Sequence, residues 1–241
     1  MKLYAPQYYK DFHCIAGACK HTCCEGWEID IDEERLARFR REPHIAPHIE
    51  EGNPPHFRLL EGERCPFLNQ EGLCELILRH GEDVLCQICR DHPRFRSFWS
   101  DRVEIGLGLV CEEAGRLILG SDEPMEIVCI SDDGEETELP EDEAWLMDLR
   151  TRLLQNVSET GSKARLMEYL IYRHLPDALY DDRVEERVAF ITQSYEELTQ
   201  AWEESDGGLE AFVEICRQWS YDVEYDDEEL ERRIASQPER S

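Results

Sequence analysis

The sequence predicts an α+β protein: an irregular cysteine-rich metal-binding lobe with short hairpins, followed by a C-terminal helical bundle or cap. Three observations carry this reading. Four thiols crowd into the run Cys14-Ile-Ala-Gly-Ala-Cys19-Lys-His-Thr-Cys23-Cys24, and five more cysteines follow before residue 112. Short apolar-polar alternations bounded by Gly, Pro, Asn and Asp occupy the middle of the chain. From Pro140 onward, apolar residues recur with the period of a helix. The chain accordingly divides into residues 1–120, a cysteine-rich metal or iron–sulfur lobe; 121–140, a hairpin connection; and 141–241, a helical region with an acidic tail that frays.

Ahead of the first thiols, Tyr4, Tyr8, Tyr9 and Phe12 are spaced as an aromatic face able to cover them. Trp27, Ile29 and Ile31 alternate with polar neighbours, the pattern of a short half-buried strand. Asp32 is an N-cap, with Glu33 and Glu34 in the first turn where the helix dipole favours negative charge, and opens a helix through about Arg41. Between Glu42 and Pro55, the breakers Pro43, Pro47, Gly52, Pro54 and Pro55 rule out a long regular element. His44, His48 and His56 lie in and just after this segment and read as solvated surface residues.

Asn69 to Gly72 supplies a turn between Cys65 and Cys74, and a short helix follows from Glu75 to His80. Arg94–Trp99 and Arg102–Val110 read as a hairpin around Ser100-Asp101, and Cys111–Leu119 as a helix. Gly106 and Gly108 faintly resemble a nucleotide-binding strand end, but no acidic ribose-binding residue follows in a βαβ unit. A second hairpin joins Glu126–Ile130 to Glu136–Leu139 through Ser131-Asp-Asp-Gly134. Beyond it, Trp145, Leu149 and Leu153 form one apolar stripe, and Leu166, Leu170 and His174 a second. Val184, Val188, Ile191, Tyr195, Leu198 and Trp202 trace a third, and Leu209, Phe212, Val213, Cys216 and Trp219 a fourth.

Composition narrows the function. The chain of 241 residues carries 55 acidic against 26 basic residues, a formal charge of −29, which repels a phosphate backbone and attracts cationic protein segments. Nucleic acid and anionic membrane are excluded as partners. The first ten residues lack the apolar core of a signal peptide, and no run of about 18 apolar residues occurs, so a cytoplasmic location is expected. Thiols stay reduced there, and an odd count of eleven cysteines points to metal ligation rather than to a disulfide framework.

Nine cysteines are candidate metal ligands: Cys14, Cys19, Cys23, Cys24, Cys65, Cys74, Cys86, Cys89 and Cys111. Cys86-Gln-Ile-Cys89 has the spacing with which two thiolates grip one ion from a single turn. Isolated Cys129 and Cys216 read as packing residues. Zinc takes four thiolates and a 4Fe-4S cluster also takes four, so spacing does not choose between them. The C-x3-C-x2-C pattern of radical enzymes is absent, because Gly26 stands where its third cysteine belongs. On the residues alone, a metal that only holds the lobe together is the favoured reading over a reactive one.

Larger blocks carry a resemblance. Tyr8-Tyr-Lys-Asp-Phe12-His-Cys14-Ile, then Thr22-Cys23-Cys24-x-Gly26-Trp27-x-Ile29-x-Ile31-Asp32, resembles the N-terminal signature of the flagellin lysine-N-methylase family. Cys65-Pro-Phe-Leu with Cys74, Cys89-Arg-Asp-His-Pro93-Arg94, and Glu104 through Leu117 resemble its later blocks, the first two shared with zinc- or iron-chelating cysteine-rich proteins. The resemblance covers residues 4 to 120. It implies a 4Fe-4S cluster, with zinc the alternative, S-adenosylmethionine as methyl donor, and lysines of flagellin as the substrate. Methylation needs a neutral amine aligned with the donor methyl. Tyr4, Tyr8 and Tyr9 are available to orient one, but aromatic packing is the favoured reading of each, and no catalytic or donor-binding residue is assigned. The competing class is a non-enzymatic zinc- or iron–sulfur-binding module that uses its acidic surface to bind a protein partner.

Overall fold

The computed structural model describes residues 1–132, 134 and 137–236. In chain order its regular elements begin with strand β1 (Lys2–Pro6), helix α1 (Glu33–Phe39) and the two-residue strands β2 (Ile49–Glu50) and β3 (His56–Phe57). Helices α2 (Glu75–His80) and α3 (Gln87–Asp91) precede strands β4 (Arg94–Phe98) and β5 (Arg102–Leu107), helix α4 (Glu112–Leu119) and strand β6 (Ile127–Asp132). Six helices follow: α5 (Glu141–Gln155), α6 (Gly161–His174), α7 (Ala178–Asp181), α8 (Val184–Glu203), α9 (Leu209–Trp219) and α10 (Asp227–Ala235). The protein is mixed α+β with a helical C-terminal region. No helix among the described residues is long and apolar enough to cross a membrane.

The chain forms two compact units, one of residues 14–92 and one of residues 1–13 together with 93 onward. The domain expectation grouped residues 1–120. In the structure β1 and the β4–β5 hairpin pair in one sheet, so both ends of that segment belong with the helices.

Unit 14–92 is held by few regular elements and a small core. Ile29, Ile31, Phe39, Ile45, Phe57, Phe67, Leu76 and Val84 are buried there together with Cys65 and Cys86. The strand expected at Trp27–Ile31 reduces to isolated bridges, Glu25 to Arg64 and Asp30 to His56, although Ile29 and Ile31 are buried as the alternation requires. The partner segment explains this: Pro54 and Pro55 have no N–H, so no ladder propagates along it. Asp32 caps α1, its carboxylate accepting the Arg35 N–H at 3.0 Å. Helix α2 spans the predicted residues, and the Asn69 turn closes through its Oδ1, which accepts the Leu73 N–H at 2.8 Å.

The other unit contains a four-stranded sheet of order β4-β5-β1-β6. The β4–β5 hairpin matches its prediction, with Phe95 opposite Gly106. A Cβ on Gly106 would stand 2.2 Å from the Phe95 ring, so this glycine serves packing and not a nucleotide. β1 runs parallel to β5, Lys2 opposite Arg102, and β6 is antiparallel to β1. The second expected hairpin is therefore corrected. Its first strand exists but pairs with β1, and Thr137–Leu139 are not strand; Asp133, Glu135 and Glu136 of that reading lie outside the described residues.

The helices pack through the predicted stripes of α6, α8 and α9, with Leu166, Leu170, Ile191, Leu198, Phe212 and Val213 buried. Two expectations here are corrected. Trp145 is 53% exposed, and α5 instead buries Leu146 and Arg150. Arg150 is there because its guanidinium donates to the buried Glu104 carboxylate (Nη2 to Oε1, 2.7 Å) and lies over the Trp99 ring. The tail expected to fray is structured through Ala235. Val223 and Ile234 are buried, and Arg183–Glu231 and Arg233–Glu197 pairs pin α10 to α8 and its leading turn.

Candidate metal centre

The first cysteine run enters unit 14–92 as a tight loop against the Asn69 turn. At Gly17 a Cβ would lie 2.9 Å from the Glu71 carbonyl oxygen, so only glycine permits this approach. Cys14 and Cys19 flank that loop, and the Ala16 N–H points to Cys14 Sγ at 3.4 Å. The next pair is set by local hydrogen bonds. Thr22 Oγ1 accepts the Cys24 N–H at 3.1 Å, and Trp27 Nε1 donates to the Cys23 carbonyl at 2.7 Å.

One backbone contact joins the first cysteine run to the second: the Cys65 N–H donates to the Cys24 carbonyl at 2.8 Å. Leu68 bridges Cys74, closing the Cys65–Cys74 loop. Cys74 and Cys86 are the residues immediately preceding α2 and α3, where a helix N-terminus favours a thiolate. Cys89 follows one turn into α3.

Electrostatics shows what this folding achieves. Burial pushes the Cys65 and Cys86 thiols up to about 12, and each is raised further by neighbouring cysteines or acids, Cys24 and Cys74 for the first and Asp32 and Cys65 for the second. Burial likewise raises Cys74 and Cys89, the latter facing Cys86, Cys24, Cys65 and Cys74. Opposing this, backbone N–H groups of Phe67 and Leu68 favour the Cys65 thiolate, and those of Ile77 and Leu76 the Cys74 thiolate. The adjacent thiols of Cys23 and Cys24 are hydrogen-bonded to each other. A hydrogen bond from Cys23 lowers the Cys24 thiol to about 7 against the cost of burial, with help from Thr22, while Cys23 is held far above the usual thiol range.

Five thiols from three segments, Cys24, Cys65, Cys74, Cys86 and Cys89, thus lie within mutual electrostatic reach, and Cys23 adds contact with Cys14 and Cys89. Such a grouping of half-buried sulfurs, each disfavouring its neighbour's charge, fits a soft cation or cluster in donor type and in burial. Among the described residues no three His, Cys, Asp or Glu side chains stand close enough together to hold a metal ion.

The remaining candidates lie elsewhere. Cys111 precedes α4 in the other unit, half-buried against its core, and Cys19 is half-buried in unit 14–92. Cys216 is buried in the helical core as expected, whereas Cys129 is exposed on β6, its thiol donating to the Ser131 carbonyl. The three tyrosines belong to the sheet unit and are occupied in packing. Arg94 Nε donates to Tyr9 Oη at 2.9 Å, Arg102 lies over the Tyr4 ring, and Tyr8 is buried beside Met125. Two residues had escaped notice. Thr22 tunes Cys24, and the signal for it was its place directly before the Cys-Cys pair. Asp32, read only as a cap, also accepts the Gln87 N–H at 2.9 Å and so fixes the start of the Cys86–Cys89 turn.

Sequence comparison finds relatives over half of the chain. A protein named lysine-N-methylase from Salmonella choleraesuis is 27% identical over 134 residues, 50% of this chain and 33% of the relative. Half of this chain is similar to lysine-N-methylases. The Salmonella typhimurium protein of the same name is 26% identical over an equal length. Flagellar biosynthetic protein FliU of Salmonella muenchen is 24% identical over 132 residues, 78% of that protein. The match thus spans about a third of the lysine-N-methylases. No family model and no solved structure matches the chain.

Proposed function

We propose that this chain is a protein-lysine N-methyltransferase of the flagellin-modifying type that uses S-adenosylmethionine, and that unit 14–92 binds a 4Fe-4S cluster. The observation that carries the reading is the likeness of half the chain to proteins named lysine-N-methylase and FliU. The thiol grouping supports its metal part. Cys24, Cys65, Cys74, Cys86 and Cys89 would hold the group, with Cys14, Cys19 and Cys23 beside them as further donors. Bound there, a cluster supplies redox or Lewis-acid chemistry.

In the transfer itself the neutral lysine nitrogen attacks the sulfonium methyl carbon, the carbon–sulfur bond breaks with its electrons remaining on sulfur, and the nitrogen then loses a proton. The net charge of −29 favours the approach of a lysine-bearing segment and disfavours polyanions.

Full-length protein purified without oxygen tests the proposal when incubated with flagellin and methyl-labelled donor. Label on flagellin lysines is expected. A colourless protein with stoichiometric zinc, no donor binding by calorimetry and no label supports instead a non-enzymatic metal-binding module for a protein partner.

A further inference from the structure

His44 lies in the proline-rich segment after α1, and His80 is the last residue of α2. The two imidazoles lie head to head in nearly parallel planes inclined by 14°, centroids 5.1 Å apart and Nε2 atoms 3.0 Å from each other, so that a tilt of about 20° in each ring turns both lone pairs toward one point. Two imidazolium rings would place N–H against N–H, so the contact requires at least one bare lone pair. In the metal-free protein an Nε2–H···Nε2 hydrogen bond satisfies it. The same distance has a second use. Two imidazole nitrogens bound to one ion at about 2.0–2.1 Å stand roughly 2.9–3.4 Å apart, from square to tetrahedral angles. The pair is therefore already spaced as one edge of a coordination polyhedron.

The surroundings agree. On the opposite side of the His44 ring, the Glu42 carboxylate is 3.9 Å from Nδ1, a small movement from accepting its proton. A carboxylate on Nδ1–H selects the tautomer whose Nε2 is free for a metal. His44 also borders a cavity of ≈ 190 Å³ lined by His48, Glu75 and Arg79, so its ring has space beside it to tilt. No third His, Cys, Asp or Glu among the described residues completes the group, so water takes the other positions.

We propose that His44 and His80 form a nitrogen-based site for a divalent transition ion, of the zinc, nickel or copper class that imidazole suits. It differs in ligand type from the thiols and stands whether or not they bind iron. On binding, the ring that donated through Nε2 moves that proton to Nδ1. Both lone pairs then face the ion and no net proton is lost.

The test uses full-length protein loaded with zinc at its thiols and washed briefly with iminodiacetate to strip weakly held, nitrogen-bound zinc, then titrated with Ni²⁺ by calorimetry. Imidazole NMR signals and released zinc are followed in parallel. The expected result is one Ni²⁺ event without zinc release, in which the His44 and His80 signals broaden first. His44→Gln and His80→Gln each weaken it at least tenfold, and His56→Gln leaves it unchanged. The broadening pattern of the unsubstituted protein decides the matter even if a variant folds poorly. The proposal is overturned if no event occurs, if Ni²⁺ uptake matches zinc release, if other histidines broaden first, or if the event survives both substitutions.

Discussion

The Asp32 carboxylate joins Arg35 to Gln87, accepting the N–H of the first at 3.0 Å through Oδ1 and that of the second at 2.9 Å through Oδ2. One side chain caps α1 and holds the turn that carries Cys86 and Cys89. Asp32→Ala removes both bonds and should destabilise unit 14–92 by about 1–3 kcal/mol, with metal affinity falling as well. Asp32→Asn keeps one acceptor oxygen and should fall between. Urea unfolding of the three proteins checks the order; an alanine variant as stable as the parent would contradict the role.

Cys24, lowered by Cys23 and Thr22 against its burial, ionises more readily than Cys65, Cys74, Cys86 or Cys89, which burial raises. It is therefore ionised at neutral pH to a greater extent than an ordinary thiol. In metal-free protein iodoacetamide should label Cys24 before Cys65, Cys74, Cys86 and Cys89. Thr22→Val should move the midpoint of its labelling rate to higher pH. Peptide mapping by mass spectrometry reads both, and simultaneous labelling of all five would refute the assignment.

Glu224 is fully buried, and burial alone raises a carboxyl. Hydrogen bonds from His174 and Ser220 and the charge of Arg173 outweigh it, leaving Glu224 below the usual carboxylate range. A depressed folded value contributes stability above the unfolded value of about 4.3, lost as pH falls through the folded one. Glu224→Gln should therefore cost stability at neutral pH, and the cost should shrink from about pH 5 toward pH 3. Denaturant midpoints across that range test it; a cost independent of pH would argue that shape alone matters.

The Arg150–Glu104 pair is buried on both sides. Arg150→Met strands the carboxylate and should cost about 3–5 kcal/mol, whereas pairing it with Glu104→Leu should recover much of that. A double-mutant cycle measures the coupling, and additive losses would disprove it.

Local signals were legible and non-local ones were not. The Glu75–His80 helix, the Asp32 cap, the Asn69 turn and the β4–β5 hairpin each rest on contacts within a few residues, and all appear. Alternation marked β6 as a strand but carried no information on its partner, which is β1 rather than the next segment. Trp145 fits a helical stripe by period, yet α5 buries Leu146 and the Arg150 that pairs with Glu104, and leaves Trp145 exposed. At the site, Cys86-x-x-Cys89 could be read from spacing alone. That Cys24 meets Cys65, or His44 meets His80, depends on loop closures between segments that share no local pattern.

The central claim is that the thiols of unit 14–92 hold an iron–sulfur cluster, and iron and acid-labile sulfide analysis of anaerobically purified full-length protein tests it most directly. The account predicts about four irons and four sulfides per chain, lost in Cys65→Ser and Cys86→Ser and kept in Cys129→Ser and Cys216→Ser. Stoichiometric zinc without sulfide, or a cluster indifferent to Cys65 and Cys86, would contradict it.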